Sequence, residues 1–268
     1  MFKITFVSLF ILFTSTAIAE TIVIGGSGTD LATFKLLANK FHELNPSINV
    51  KLLPSIGSGG GIKAVGKGKI ALCLMSRAPK NKEKTEGLIF KHYAQTPFVF
   101  STHKDAEVDN LTTQNILDIY SGKMTHWSDG YQIKPILRPS KDSDITILVN
   151  NFKDFDKIIN RAYQRRGFPI ALTDQEAAQQ IATIQGAIGT TTLALIKTED
   201  KPIKAIKHNG IEPSPENIKS GHYKLYKDLY LCYDKNKSTD SLKRFVSFVN
   251  SNGGRTILQK TGHRIIQP

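Results

Sequence analysis

The chain is short of acidic residues, cysteine and tryptophan. Of its 268 residues, 23 are Asp or Glu against 36 Lys or Arg, a formal charge of +13. Two cysteines exclude a disulfide-dense scaffold. No C-x-x-C or H-E-x-x-H spacing is present, and the seven histidines form no spaced cluster, so no metal site or cofactor is expected. Beyond residue 19 no run is long and apolar enough for a transmembrane helix. There is no internal repeat and no low-complexity tract.

Enzyme signatures are also missing. The glycine-rich segments lack G-K-[ST], do not fit G-x-G-x-x-G, and do not fit G-x-S-x-G around Ser27 or Ser58. Ser101-Thr102-His103-Lys104 fits S-x-x-K, but its companion motifs are missing. A secreted phosphoester hydrolase would need a nucleophile beside a base, or a metal cluster. Neither is visible, so no catalytic residue is assigned.

What is present begins at the N-terminus. Met1-Phe2-Lys3 is basic, Ile4 to Phe13 is apolar, and Ala17-Ile18-Ala19 is a cleavage pattern. That order predicts a signal peptide over residues 1–19 and a mature chain exported to the periplasm. Loss of Lys3 takes the charge from +13 to +12. Export argues against nucleic acid as a partner. The lysines (Lys35, Lys40, Lys51, Lys63) are also scattered rather than interleaved with aromatics on one stripe. A generally basic background and capture of small anions both account for the charge.

Strand-like runs at Thr21–Ile24, Ile48–Leu53 and Ile70–Met75 alternate with a helical pattern from Leu31 to Leu44 and a short helix near Ile62. This β-α-β-α-β order predicts an α/β fold with crossover helices. Further strands are expected at Thr96–Ser101, Ile133–Leu137, Gly186–Leu193, Ile203–Lys207 and Leu229–Tyr233. Helices are expected at Leu111–Tyr120, from about Asp144, around Asp174–Ala178, and at Leu242–Val249, the last broken at Gly253-Gly254. Cys73 and Cys232 each fall inside a predicted strand. Free buried thiols are expected, although an oxidising compartment permits a disulfide.

Three segments share one design. Gly25-Gly26-Ser27-Gly28-Thr29, Ile56-Gly57-Ser58-Gly59-Gly60-Gly61 and Arg138-Pro139-Ser140-Lys141-Asp142-Ser143 each run from a strand into a helix. Glycine lets backbone approach a ligand, and the first turn of a helix offers unpaired N–H donors with partial positive charge. Hydroxyls add donors, and Arg138 would supply paired donors to two oxygens of a tetrahedral anion. Each segment alone also reads as an N-cap or a turn.

Gly57-Ser58-Gly59-Gly60-Gly61-Ile62 resembles the G-S-G-x-G-I of the phosphate-binding proteins of ABC transporters. Ile119-Tyr120-Ser121-Gly122-Lys123-Met124-Thr125-His126-Trp127 is similar to that family's I-F-S-G-K-I-x-x-W. Gly186-Ala187-Ile188-Gly189 resembles its P-G-A-I-G, with Gln185 in place of proline. The resemblance implies a two-lobed, type II periplasmic binding protein, each lobe a mainly parallel sheet flanked by helices. Lobe 1 would hold residues 20–97 plus 224–268, and lobe 2 residues 98–223. The implied anion ligands are Ser27, Gly28, Thr29, Ser58, Gly59, Ser76, Arg77, Arg138, Ser140 and Ser143.

The implied activity is non-enzymatic capture of inorganic phosphate by a monomer, and its delivery to an ABC transporter permease in the inner membrane. Sulfate or a tungstate-like oxyanion, and a sensing or adhesion module on the same fold, are the alternatives. Two departures stand out. The best-known family members continue from the arginine into S-G-T, where this chain has Ser140-Lys141-Asp142-Ser143, leaving Ser140 and Ser143 both as candidate donors. They also carry an aspartate, which accepts the proton of hydrogen phosphate, where this chain has Arg77. An arginine has no acceptor.

Overall fold

The computed structural model describes residues 20–266, so the predicted signal segment, residues 1–19, lies outside the described residues. The strands are β1 (Glu20–Gly26), β2 (Ile48–Leu52), β3 (Leu72–Met75), β4 (Leu88–His103), β5 (Asn110–Leu111), β6 (Lys134–Pro135), β7 (Ala187–Thr192), β8 (Ile203–Ala205), β9 (Lys207–His208), β10 (Tyr226–Asp234) and β11 (Arg264–Ile265). The helices are α1 (Leu31–Leu44), α2 (Gly57–Gly66), α3 (Thr113–Ser121), α4 (Ser143–Asn151), α5 (Phe155–Tyr163), α6 (Asp174–Thr183), α7 (Leu193–Thr198), α8 (Pro215–Lys219), α9 (Asp240–Val249) and α10 (Asn252–Lys260). None is long and apolar enough to cross a membrane.

The strands pair in the order β2-β1-β3-β10-β4-β7-β6. β1 runs parallel to β2 and β3, β6 runs parallel to β7, and β10 is antiparallel to β3 and β4. β4 belongs to both halves. Its first part pairs with β10 and β11, and its last part with β7 and β8.

Two larger cores, with two smaller clusters, follow from this among the described residues. One gathers Ile22, Ile24, Phe34, Phe41, Leu72, Tyr93, Leu229 and Phe245. The other gathers Phe98, Phe100, Ile116, Tyr120, Phe152, Phe155, Ile188 and Leu225. β4 leaves the first core after Ala94 and enters the second at Phe98, and the chain returns between Leu225 and Leu229. These are two α/β lobes joined by crossing strands.

Local chemistry explains the helix starts. Thr112, Asp142, Thr173, Thr239 and Ser251 each accept a hydrogen bond from an amide two or three residues on, taking up one of the orphan donors of the first turn. Gly122 closes α3 in the left-handed region at φ +77°.

The structure corrects four sequence expectations. Gly57–Gly61 is the first turn and a half of α2, not a loop. Packing outweighs poor propensity there: Ile62 and Val65 are buried, and a Cβ on Gly61 would lie 2.3 Å from Cys73 Sγ. The strand expected at Ile133–Leu137 reduces to β6 and an isolated bridge between Leu137 and Ile170. The C-terminal helix breaks at Asn250-Ser251, and Gly253-Gly254 lie inside α10. A Cβ on Gly254 would meet the Phe248 carbonyl oxygen at 2.3 Å, so glycine lets α10 seat against the end of α9. β4 is also far longer than Thr96–Ser101, because it serves both lobes.

Candidate functional site: an anion cleft between the lobes

β1 and β3 end side by side at the floor of a cleft. Gly26 makes this possible: it has φ +122°, and a Cβ there would stand 2.2 Å from the Leu74 carbonyl oxygen. The chain then turns through Ser27, whose amide donates to that carbonyl at 2.8 Å. The cleft has a volume of about 840 Å³, and Ser27, Ser58, Gly59, Ser76, Arg77, Arg138, Asp142, Ser143 and Asp174 are among its lining residues.

The N-termini of α2 and α4 both open on it. Their first-turn amides carry partial positive charge and lack intrahelical partners. A chain of hydroxyls crosses between the lobes. Ser58 Oγ accepts from the Ser76 amide at 3.1 Å and lies 3.5 Å from Ser76 Oγ. Ser76 Oγ is 3.3 Å from Ser143 Oγ. Ser143 Oγ in turn donates to Asp142 Oδ1 at 3.5 Å.

Arg138 stands at the end of the second lobe's strand region and is 3% exposed. Its Nη1 donates to the Ala171 carbonyl at 3.2 Å and its Nη2 to Asp142 Oδ2 at 3.0 Å. Asp144 Oδ2 lies 3.8 Å from Nε, and Asp174 Oδ1 lies 3.7 Å from Nη2. Nε is buried without a hydrogen-bond partner among the described residues, on a side chain that borders the cleft. Burial opposes the charge of Arg138, but Asp144, Asp174 and Asp142 hold its pKa above the ordinary value.

The two neighbouring carboxyls diverge. Burial, followed by the charge of Asp144, pushes Asp142 up to about 6 against the pull of Arg138 and Lys227. Burial also works against ionised Asp144, yet Lys227 and Arg138 hold it below the usual carboxylate value.

The remaining sequence-predicted residues are placed unevenly. Thr29 is buried behind Ser27, whose Oγ donates to Thr29 Oγ1 at 3.2 Å. Gly28 is buried, and its carbonyl accepts from Gln175 of the other lobe at 2.8 Å. Gly59 lies beside Arg77. Arg77 lines the cleft but is held by Glu83 through two hydrogen bonds of 2.7 Å, and that pairing holds the Glu83 carboxyl below its ordinary value. It is therefore no free cation. Of the two candidate serines after Arg138, Ser143 lines the cleft, while Ser140 is exposed and outside the lining.

Sequence reasoning assigned no role to Lys227 or Asp174. Lys227 is fully buried, with Nζ 2.5 Å from Asp144 Oδ1 and 3.4 Å from Asp174 Oδ1. A signal existed: Lys227 is in phase with Leu229 and Leu231, on the buried face of β10.

Two α/β lobes linked by crossing strands, with helix N-termini and hydroxyls converging between them, define a type II periplasmic binding protein. A family model described as a PBP superfamily domain matches residues 13–252, and the chain belongs to the PBP superfamily.

The phosphate-binding protein PstS of Bacillus subtilis is 23% identical over 238 residues, covering 86% of this chain and 75% of that protein. Protein SphX of Synechococcus elongatus is 25% identical, covering 92% of this chain and 78% of that protein. A Clostridium perfringens structure, described as a phosphate ABC transporter substrate-binding protein with bound phosphate, superposes with a TM-score of 0.78. It is 26% identical and covers 92% of this chain and 100% of that one.

Proposed function

We propose that this chain is a non-enzymatic receptor that captures inorganic phosphate between its lobes and delivers it to an ABC transporter permease. One observation carries the reading. The N-termini of α2 and α4, the hydroxyls of Ser58, Ser76 and Ser143, and the side chain of Arg138 border one cleft. Such an arrangement suits an anion with several acceptor oxygens. The phosphate-binding relatives support phosphate over other oxyanions.

The lobes of this reading comprise residues 20–97 with 224–268, and residues 98–223. Closure is a hinge motion at the crossing strands. Ser27, Ser58, Ser76, Arg138 and Ser143 are the donors, joined by first-turn amides that include those near Gly28, Thr29 and Gly59. Arg77, engaged by Glu83, forms wall rather than ligand. Asp142 takes the acceptor role that Arg77 cannot fill. It lines the cleft, and its Oδ2, which accepts only from Arg138 among the described residues, has room for a further donor. A protonated phosphate donates to that carboxylate, while sulfate only repels it.

Export through the N-terminal signal and action as a monomer belong to the same reading. The test is isothermal titration calorimetry of the anion-stripped chain with phosphate, sulfate and tungstate at about pH 6 and pH 8. Tight phosphate binding with little response to sulfate is expected. Heat from sulfate or tungstate alone overturns the ligand, and no heat from any oxyanion overturns the receptor.

A further inference from the structure

We propose that Lys227 is a positioning residue for anion capture: its buried ammonium occupies Asp144 and Asp174 so that these carboxylates do not neutralise Arg138. The inference rests on the phosphate-binding reading above.

Lys227 is not part of the cleft lining and acts through its neighbours. It lies on β10 where the chain crosses between the lobes, opposite Thr96 of β4. From there its Nζ reaches both sides. In the first lobe it donates to Thr29 Oγ1 at 3.3 Å, beside the Ser27 turn. In the second it meets Asp144 at the start of α4 and Asp174 at the start of α6. The Phe98 ring centroid, 5.8 Å away, lies in the same surroundings. Burial disfavours the ammonium, but Asp144, Asp174 and Asp142 hold it charged, with a pKa above the ordinary lysine value.

The charge count gives Lys227 its role. Arg138 and Lys227 face Asp142, Asp144 and Asp174, two cations against three carboxylates, so the cluster carries −1 with every group ionised. Asp144 divides its oxygens: Oδ1 goes to Lys227, while Oδ2 accepts from Thr190 Oγ1 at 2.7 Å and stays 3.8 Å from Arg138 Nε. Asp174 Oδ1 lies between the two cations, 3.4 Å from Lys227 Nζ and 3.7 Å from Arg138 Nη2. Without the ammonium, both carboxylates would have Arg138 as their sole contacting cation among the described residues, and the cluster would fall to −2 beside the anion's seat. Buried charges are weakly screened, so the change bears directly on an incoming anion.

The test is phosphate titration calorimetry on folded variants, with folding checked by circular dichroism. Lys227→Met keeps the stem and removes the charge, and it should weaken phosphate binding by about tenfold or more. Lys227→Met with Asp174→Asn returns the cluster to −1 and should bind within about threefold of the natural chain. A purely structural lysine would not be rescued by removing a carboxylate. Asp174→Asn alone keeps Lys227 and should bind phosphate more tightly, and it decides the matter if Lys227→Met does not fold.

Unchanged affinity in folded Lys227→Met, or a folded double variant no better than the single one, overturns the proposal, as does unchanged or weaker binding by Asp174→Asn alone. If the natural chain binds no phosphate, the receptor reading itself fails. If it binds and the variants do not follow this pattern, only the role of Lys227 fails.

Discussion

The hydroxyls of Ser76 and Ser143 stand 3.3 Å apart although 67 residues separate them in the chain. Ser76 follows β3 of the first lobe, and Ser143 opens α4 of the second. Neither lobe holds this hydroxyl pair alone, so it exists only where the two lobes meet. An oxyanion seated here replaces a hydroxyl–hydroxyl contact with two charge-assisted ones.

Ser76→Ala and Ser143→Ala should each weaken phosphate binding by about tenfold, the scale of a hydrogen bond to a charged group. Their double variant should depart from additivity if both hydroxyls serve one anion. Calorimetric double-mutant cycles measure this. Fully additive losses would place the two serines on separate ligand groups.

Arg138→Lys should cost phosphate affinity about a hundredfold, although charge is kept. A single ammonium cannot reproduce a planar fork that serves Ala171 and Asp142 at once and still faces the cleft lining. Near-natural affinity in this variant would show that charge alone suffices.

On the proposed reading, Asp142 should give the site a pH dependence. Its folded carboxyl is pushed up to about 6 from an ordinary 3.8, so it becomes neutral as pH falls below about 6. Sulfate binding should therefore strengthen from about pH 7 to pH 5, as the negative charge beside Arg138 disappears. Asp142→Asn should bind sulfate strongly across that range and lose the preference for phosphate. The stability sign follows the same shift. A raised folded pKa contributes stability that is present below the unfolded value and lost as pH rises through the folded one. The unliganded natural chain should thus lose stability relative to Asp142→Asn between about pH 4 and pH 7, read from unfolding midpoints. A flat sulfate profile in the natural chain would remove Asp142 from this role.

Cys73 and Cys232 are register partners on β3 and β10, both buried and both free. Burial pushes the Cys73 thiol well up and the Cys232 thiol up to about 12. Neither should react with a maleimide or with Ellman's reagent in the folded chain at about pH 8, and both should react after denaturation. Fewer than two thiols after denaturation without reductant would reveal a disulfide.

Trp127 is packed into the second lobe's core, and its Nε1 donates to the Gly186 carbonyl at 3.1 Å, away from the cleft lining. Its fluorescence should change little on phosphate binding, whereas the radius of gyration by X-ray scattering should fall as the lobes close. A large spectral shift without compaction would argue for rearrangement within the second lobe.

The sequence by itself determined the α/β class, because short apolar runs and helical spacing alternate from Thr21 to Met75 and force crossover connections. It also marked the segments at Ser27, Ser58 and Arg138, since glycine, hydroxyl and arginine at strand ends have local chemical meaning. Its resemblance to phosphate-binding proteins pointed to the same residues.

Only the tertiary structure decided how those segments combine. Whether Ser140 or Ser143 faces the cleft depends on where α4 begins, and Asp142 capping that helix settles the geometry. Arg77 reads as a free cation until Glu83, six residues on, is folded back against it. Lys227 reads as an ordinary lysine because its carboxylates lie 83 and 53 residues away in the chain, Asp144 and Asp174 respectively. Charge balance in a buried cluster is a property of space rather than of spacing, and local sequence carries no record of it.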